Sequence, residues 1–296
     1  MHGTERALNR VAPLLFLALW SSSFLGTRVG LRFMSPLWFV AVRMILAAAI
    51  LTAATMLTRQ AWPSARMVLH CAIAGVLINA ILLMTAHVAM VRIDAAPIAL
   101  LQTLNPLLSA LLAWPLLGEK LRPGQMLGLV LGLGGVLLIL GRAAASSRAD
   151  LTDFLGTIAG VFALCAGTIY YRRFCRGVPV LPGAAVQFLA CALVCTGTAA
   201  ILETPWIDGN IALYASIAWN TIFISIGSMA LYFLMLSHGT AARATANFYL
   251  VPAVVSVLSW LLLNEHLSSP TILGIAVSSF GCWLLGRQSF QPQRSP

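Results

Sequence analysis

Charge is what this chain of 296 residues has least of: Asp, Glu, Lys and Arg together make up 9% of it, and only 8 residues are acidic. A further 60% is hydrophobic, more apolar surface than a soluble core of this length can hide, so a water-soluble globule is excluded and a bilayer is expected. Paired cysteine spacings are missing as well. Cys71, Cys165, Cys175, Cys191, Cys195 and Cys282 show no Cys-x-x-Cys or Cys/His pattern, which speaks against zinc and for free thiols filling small gaps. Cys191 and Cys195 lie one helical turn apart, a poor geometry for a disulfide. There is no His-Glu-x-x-His, no phosphate loop and no Gly-x-Ser-x-Gly elbow, so no metal, cofactor or enzymatic activity is expected. The net charge of +10 would suit a nucleic-acid binder. Its Lys and Arg are instead scattered singly between apolar runs of roughly 20 residues, the length that crosses hydrocarbon, so the partner is the lipid bilayer and not nucleic acid.

What the chain does contain is a repeat. Residues 105–140 recur at 251–286 without gaps, pairing Pro106 with Pro252, Trp114 with Trp260, Glu119 with Glu265, Gly128 with Gly274 and Gly135 with Gly281. A fainter echo, Ala18-Leu19 against Ala163-Leu164, keeps nearly the same offset, which makes the copies whole halves of the protein: 1–145, then 146–288, followed by a polar tail, 289–296. Arg6 and Arg10 before the first apolar run resemble a signal peptide, but that run matches the start of the second copy and is expected to stay.

Breaks at charge, Pro and Gly clusters give ten spans: 13–32, 36–58, 66–91, 95–117, 123–142, 152–174, 180–202, 211–236, 243–264 and 269–286. The expected fold is therefore an all-α integral membrane protein of ten transmembrane helices. Five helices per copy is an odd number, so the second copy enters from the opposite side and the repeats have inverted topology around a central cavity. Orientation follows from the basic residues. The side holding the N-terminus collects Arg6, Arg10, Arg59, Arg66, Lys120, Arg122, Arg172, Arg173, Arg176, Arg243, Arg287 and Arg294, against Arg28, Arg32, Arg92, Arg142 and Arg148 on the other. Both termini are accordingly expected in the cytoplasm, with Glu119 at the inner surface and Glu265 at the outer. Trp38, Trp62, Trp114, Trp206, Trp260 and Trp283 fall near span ends, as interfacial anchors do, whereas Trp20 lies mid-span before Ser21-Ser22-Ser23.

Polar groups inside the spans mark candidate sites. Pro106 and Pro252 are expected hinges, each freeing the carbonyl four residues before it, of Gln102 and Phe248, and such irregular backbone is tolerated only where protein or a wet cavity satisfies it. Gln102 and Asn105 flank the first proline; Asn247 and Tyr249 flank the second. Asn79 and His87 on helix 3, Tyr170 on helix 6, and Ser228 and Tyr232 on helix 8 complete the set, so that helices 3, 4, 8 and 9 would offer amides, an imidazole and phenols to a small organic solute. His87 alone would otherwise read as an ordinary packing residue. Arg43 is the one Arg well inside a span, a structural charge expected to pair with helix-end carbonyls or Glu265, or else to meet a substrate carboxylate. No Asp or Glu lies in a span interior. Acid-driven antiport therefore has no carboxylate to work with.

Pro106 to Leu137 and its copy Pro252 to Trp283 resemble the P-hydrophobic-W-hydrophobic-G-E-x-L ending and Gly-rich last helix of EamA-type carriers in the drug/metabolite transporter superfamily. Ala18-Leu19-Trp20-Ser21-Ser22-Ser23-Phe24 and Val42-Arg43-Met44-Ile45-Leu46 are similar to that family's early segments. The chain departs from the pattern at Asn264, where Gly is usual, and at His266, where Lys or Arg is usual. The resemblance implies a monomeric inner-membrane exporter of a small-molecule substrate, such as a neutral or aromatic amino acid, working by alternating access. In that reading the substrate-binding residues are Trp20, Asn79, His87, Gln102, Asn105, Tyr170, Tyr232, Asn247 and Tyr249. Export of amphipathic drugs or lipid-linked metabolites, and an intramembrane enzyme, are the competing readings.

Overall fold

The structure, a computed structural model, describes residues 2–102, 104, 105, 108, 123–143, 150–228, 230, 231, 250–264 and 268–289. Their elements are α1 (His2–Gly30), α2 (Pro36–Leu57), α3 (Ala65–Met90), α4 (Ala95–Gln102), α5 (Pro123–Ala143), α6 (Leu151–Phe174), α7 (Val180–Leu202), α8 (Ile211–Ser228), α9 (Val251–Leu263) and α10 (Ser269–Ser289). No strand occurs among the described residues beyond one isolated bridge, Met34 to Ile207. α2, α3, α6, α7 and α8 are each long and apolar enough to cross a bilayer, and the apolar stretches of α1, α5, α9 and α10 are shorter. α1 begins earlier than its apolar run, at His2. Two elements differ from the expected uniform α-helix: Val76–Ala80 within α3 and Trp219–Ser228 within α8 are π-helical. A π segment widens the turn by one residue and re-aims side chains, and it is common at functional sites.

The helices form two compact units. One comprises Met1–Leu25, Asp94–Ala149 and Ser228–Pro296, the other Gly26–Ile93 and Asp150–Gly227. In the first unit α5 lies against α10 and α4 against α9. A Cβ on Gly135 would fall 2.5 Å from the Gly274 carbonyl oxygen, and one on Gly281 would fall 2.6 Å from that of Gly128. Only glycine permits backbones that close. These contacts also fix direction: 135 meets 274 while 128 meets 281, so the pair is antiparallel. Asn264 ends α9 in the left-handed region, φ 54°, a conformation that Gly favours and Asn tolerates, which accommodates the departure noted in the sequence.

In the second unit α2 packs on α7, and α3 packs on both α6 and α7. One end gathers the segments after α1, α3 and α7 with the start of α6. Glu203 accepts hydrogen bonds from the Leu37 and Trp38 amides (2.8 and 3.2 Å), closing the N-terminus of α2, while the Trp38 indole donates to the Glu203 carbonyl. Ser35 N–H bonds the Trp206 carbonyl, and Arg92 grips Asp153 through two 2.8 Å bonds. The opposite end holds His70, Tyr170 and Phe174 in one aromatic group, with the Arg173 guanidinium over the Phe174 ring. Outward faces are apolar: Leu46, Ile50, Leu193, Ile222 and Phe223 are exposed. That surface suits hydrocarbon and would aggregate in water.

Candidate substrate-binding site

The second unit buries a polar network in an otherwise apolar interior. At its centre the Thr27 hydroxyl lies 3.4 Å from Asn220 Oδ1 and 3.5 Å from His87 Nε2. His87 Nδ1 is 2.7 Å from the Leu83 carbonyl, which can only accept, so Nδ1 carries the proton. In the neutral ring Nε2 is then an acceptor, and one Thr27 proton serves two acceptors. Asn220 donates to the Ser216 carbonyl at 3.0 Å, and Ser216 donates in turn to the carbonyl of Gly26. Arg43 Nε donates to Ser225 Oγ at 3.0 Å, and Ser225 donates to the Asn220 carbonyl at 3.1 Å. The end of α1, α2, α3 and α8 thus meet through side chains. Arg43, His87, Asn220 and Ser225 are all buried.

The π segments position these groups. Asn220, Thr221 and Ser225 belong to the π turn of α8, and Asn79 belongs to that of α3. Asn79 Nδ2 and Thr221 Oγ1 are enclosed without a partner among the described residues. In low dielectric each such atom forfeits its water bonds, and a π turn is where a helix can leave such groups poised for a ligand or a water.

The expected site residues fall as follows. His87 joins the network. Asn79 lies in the π turn of α3. Tyr170 bonds His70 Nδ1 at 2.7 Å, one turn from the end of α6. The first unit holds the others that are described: Trp20 stacks on Phe16 (centroids 5.6 Å apart), Gln102 ends α4 half-buried, and Asn105 Oδ1 is enclosed without a partner among the described residues. Pro252 stands in the first turn of α9, where its missing N–H has no helical partner to lose, and Ser256 donates to its carbonyl. Pro106, Glu119, Tyr232, Asn247, Tyr249 and Glu265 lie outside the described residues. Of the helices expected to line the site, α3 and α8 fall in one unit, α4 and α9 in the other.

Arg43 gives its Nε–H to a hydroxyl on α8, Ser225, which belongs to the π turn; Glu265, an expected partner, lies outside the described residues. Sequence reasoning missed Thr27, Ser216, Asn220 and Ser225. Asn220, a lone amide in the apolar run Tyr214 to Ile226, was the available signal. Charge at the exposed end behaves conventionally: the Asp153 carboxylate beside Arg92 holds that guanidinium above its usual range. A surface cavity of about 390 Å³ opens there among Leu37, Val88, Leu202, Arg92 and Glu203. Its two charged side chains are committed to Asp153 and to the α2 N-terminus, leaving it poorly equipped to orient a solute. Among the described residues no cluster of His, Cys, Asp and Glu could hold a metal ion.

The model of the EamA-like transporter family matches residues 11–141 and again residues 152–287. The chain belongs to the EamA-like transporter family. Like that family it is a transmembrane transporter. It is 25% identical over 277 residues, 92% of this chain and 89% of the relative, to the "Uncharacterized inner membrane transporter YedA" of Escherichia coli K12. A "Probable terminal-alkyne amino-acid exporter" of Streptantibioticus cattleyicolor is 25% identical, covering 96% of this chain and 95% of its own. The E. coli "Probable amino-acid metabolite efflux pump" is 21% identical, with 93% of each chain covered. A solved crystal structure at 20% identity superposes with a TM-score of 0.67 over 93% of this chain and 98% of the other, a likeness of fold.

Proposed function

We propose that this EamA-family protein exports small metabolites, neutral or aromatic amino acids first among them, across the inner membrane by alternating access and without coupling to an acidic residue in the spans. The observation that carries the reading is the buried, hydrogen-bonding interior of membrane-length helices: amides, hydroxyls and an imidazole are expensive to keep away from water unless a polar solute or the conformational change uses them. The names of two relatives, an amino-acid exporter and an amino-acid metabolite efflux pump, favour this substrate class. The glycine contacts favour two inverted five-helix copies, 1–145 and 146–288. Gly135 meets Gly274 and Gly281 meets Gly128, and the repeat pairs Gly128 with Gly274 and Gly135 with Gly281, so one contact maps onto the other. Both termini are assigned to the cytoplasm. In the second unit the end carrying Arg59, Arg66, Arg173 and Arg176 has no acidic residue, whereas Arg32 and Arg92 share the other with Asp150, Asp153, Glu203 and Asp208.

Purified protein in liposomes tests the proposal. Labelled phenylalanine or leucine should cross faster than in protein-free vesicles and at the same rate with or without a pH gradient; equal trapping in both vesicle types would remove the reading. Gln102→Ala or Tyr249→Ala should reduce flux at normal abundance.

A further inference from the structure

Arg43 stands two turns into α2 and is only 6% exposed, yet among the described residues no carboxylate pairs with it. A guanidinium carries five N–H donors, and the structure accounts for one, the Nε–H given to Ser225. Nη1 and Nη2 meet no acceptor among the described residues.

A cation held in this way is expensive unless an anion joins it. Ser225 fixes the plane of the guanidinium from its Nε side, and Ser225 is itself fixed by the Asn220 carbonyl. That leaves the two-nitrogen edge, whose spacing matches the two oxygens of a carboxylate. One positive charge balances one negative charge. A phosphate dianion would call for a second cation, and no other described Lys or Arg lies in the interior of a span of this unit. We propose that Arg43 receives the carboxylate of the carried solute in a two-pronged ion pair, so that the cargo is a small monocarboxylate such as an amino acid. This deepens the transport reading and rests on it.

The test separates the two. The melting temperature of the purified full-length protein in detergent is followed with phenylalanine, phenylacetate, phenylalaninamide and sodium chloride. The two carboxylates should raise it. Phenylalaninamide, which keeps the ring and lacks the anion, should need at least tenfold higher concentration for the same shift. Arg43→Gln should respond to none of them, and Arg43→Lys, which keeps the charge and loses the fork, should respond about tenfold more weakly than the native protein. Stabilisation by amide and acid alike, by chloride alone, or by no carboxylate overturns the assignment, as does an unchanged response in Arg43→Gln. If Arg43→Gln does not fold, the native ligand series decides the matter together with Ser225→Ala, which should keep the preference for acid over amide while weakening acid binding several-fold. Acid-selective stabilisation without flux into liposomes would sink the transport reading and leave the carboxylate site standing; equal flux of acid and amide would do the reverse.

Discussion

In the first unit α5 and α10 are joined by bare backbone, glycine against glycine, whereas in the second the end of α1, α2, α3 and α8 are joined by side-chain hydrogen bonds running from Ser216 through Asn220 and Ser225 to Arg43. Lipid gives helices little hydrophobic reason to associate, so close packing and polar bonds are the remaining means; the second unit adds the polar bonds to a glycine contact of its own, Gly75 against the Gln187 backbone. The difference has a mechanical meaning. A glycine seam has a single tight arrangement and resists substitution. In the polar network one Thr27 proton faces two acceptors, His87 Nε2 at 3.5 Å and Asn220 Oδ1 at 3.4 Å, and the hydroxyl can rotate from one to the other.

The seam breaks hardest. Gly135→Leu places side-chain carbons on the Gly274 and Ser278 backbone and should reduce membrane-inserted protein at least tenfold, while Gly134→Leu, which meets nothing within 4 Å, should leave abundance near normal on the same immunoblot. Asn220→Leu removes the bonds to Thr27 and Ser216 and should lower unfolding stability by roughly 1–2 kcal/mol. Its effect on flux should exceed that of any exposed lipid-facing change, such as Leu193→Ala, measured in the same vesicles. Arg92→Ala should matter least. Its side chain is 48% exposed, and an ion pair so wetted contributes about 1 kcal/mol or less. Added salt should shrink the difference between native protein and variant in a melting experiment. A large loss from Arg92→Ala together with a silent Asn220→Leu would invert the comparison.

The five membrane-length helices were legible because each is a long apolar run closed by Pro, Gly or charge, and the glycines of the seam stood out in the repeat that pairs Gly128 with Gly274. The polar network was only partly legible. His87 was visible as the imidazole of an apolar helix, but Asn220 and Ser225 reach Arg43 and Thr27 through a π turn, and hydrophobic periodicity carries no signal for one extra residue in a turn. The bond from Arg43 to Ser225 was hidden for the same reason. Asn264 shows the converse, a departure from the family pattern whose left-handed backbone makes Asn a sound replacement for Gly.

The central claim is that this protein cycles between two openings while carrying an amino acid or similar solute, and exchange tests it most directly. Vesicles preloaded with unlabelled phenylalanine should take up labelled phenylalanine several-fold faster than empty ones, because a returning carrier is quicker when loaded. Equal uptake by loaded and empty vesicles, at a rate that never saturates with concentration, would mark an open pore or a leak and contradict the account.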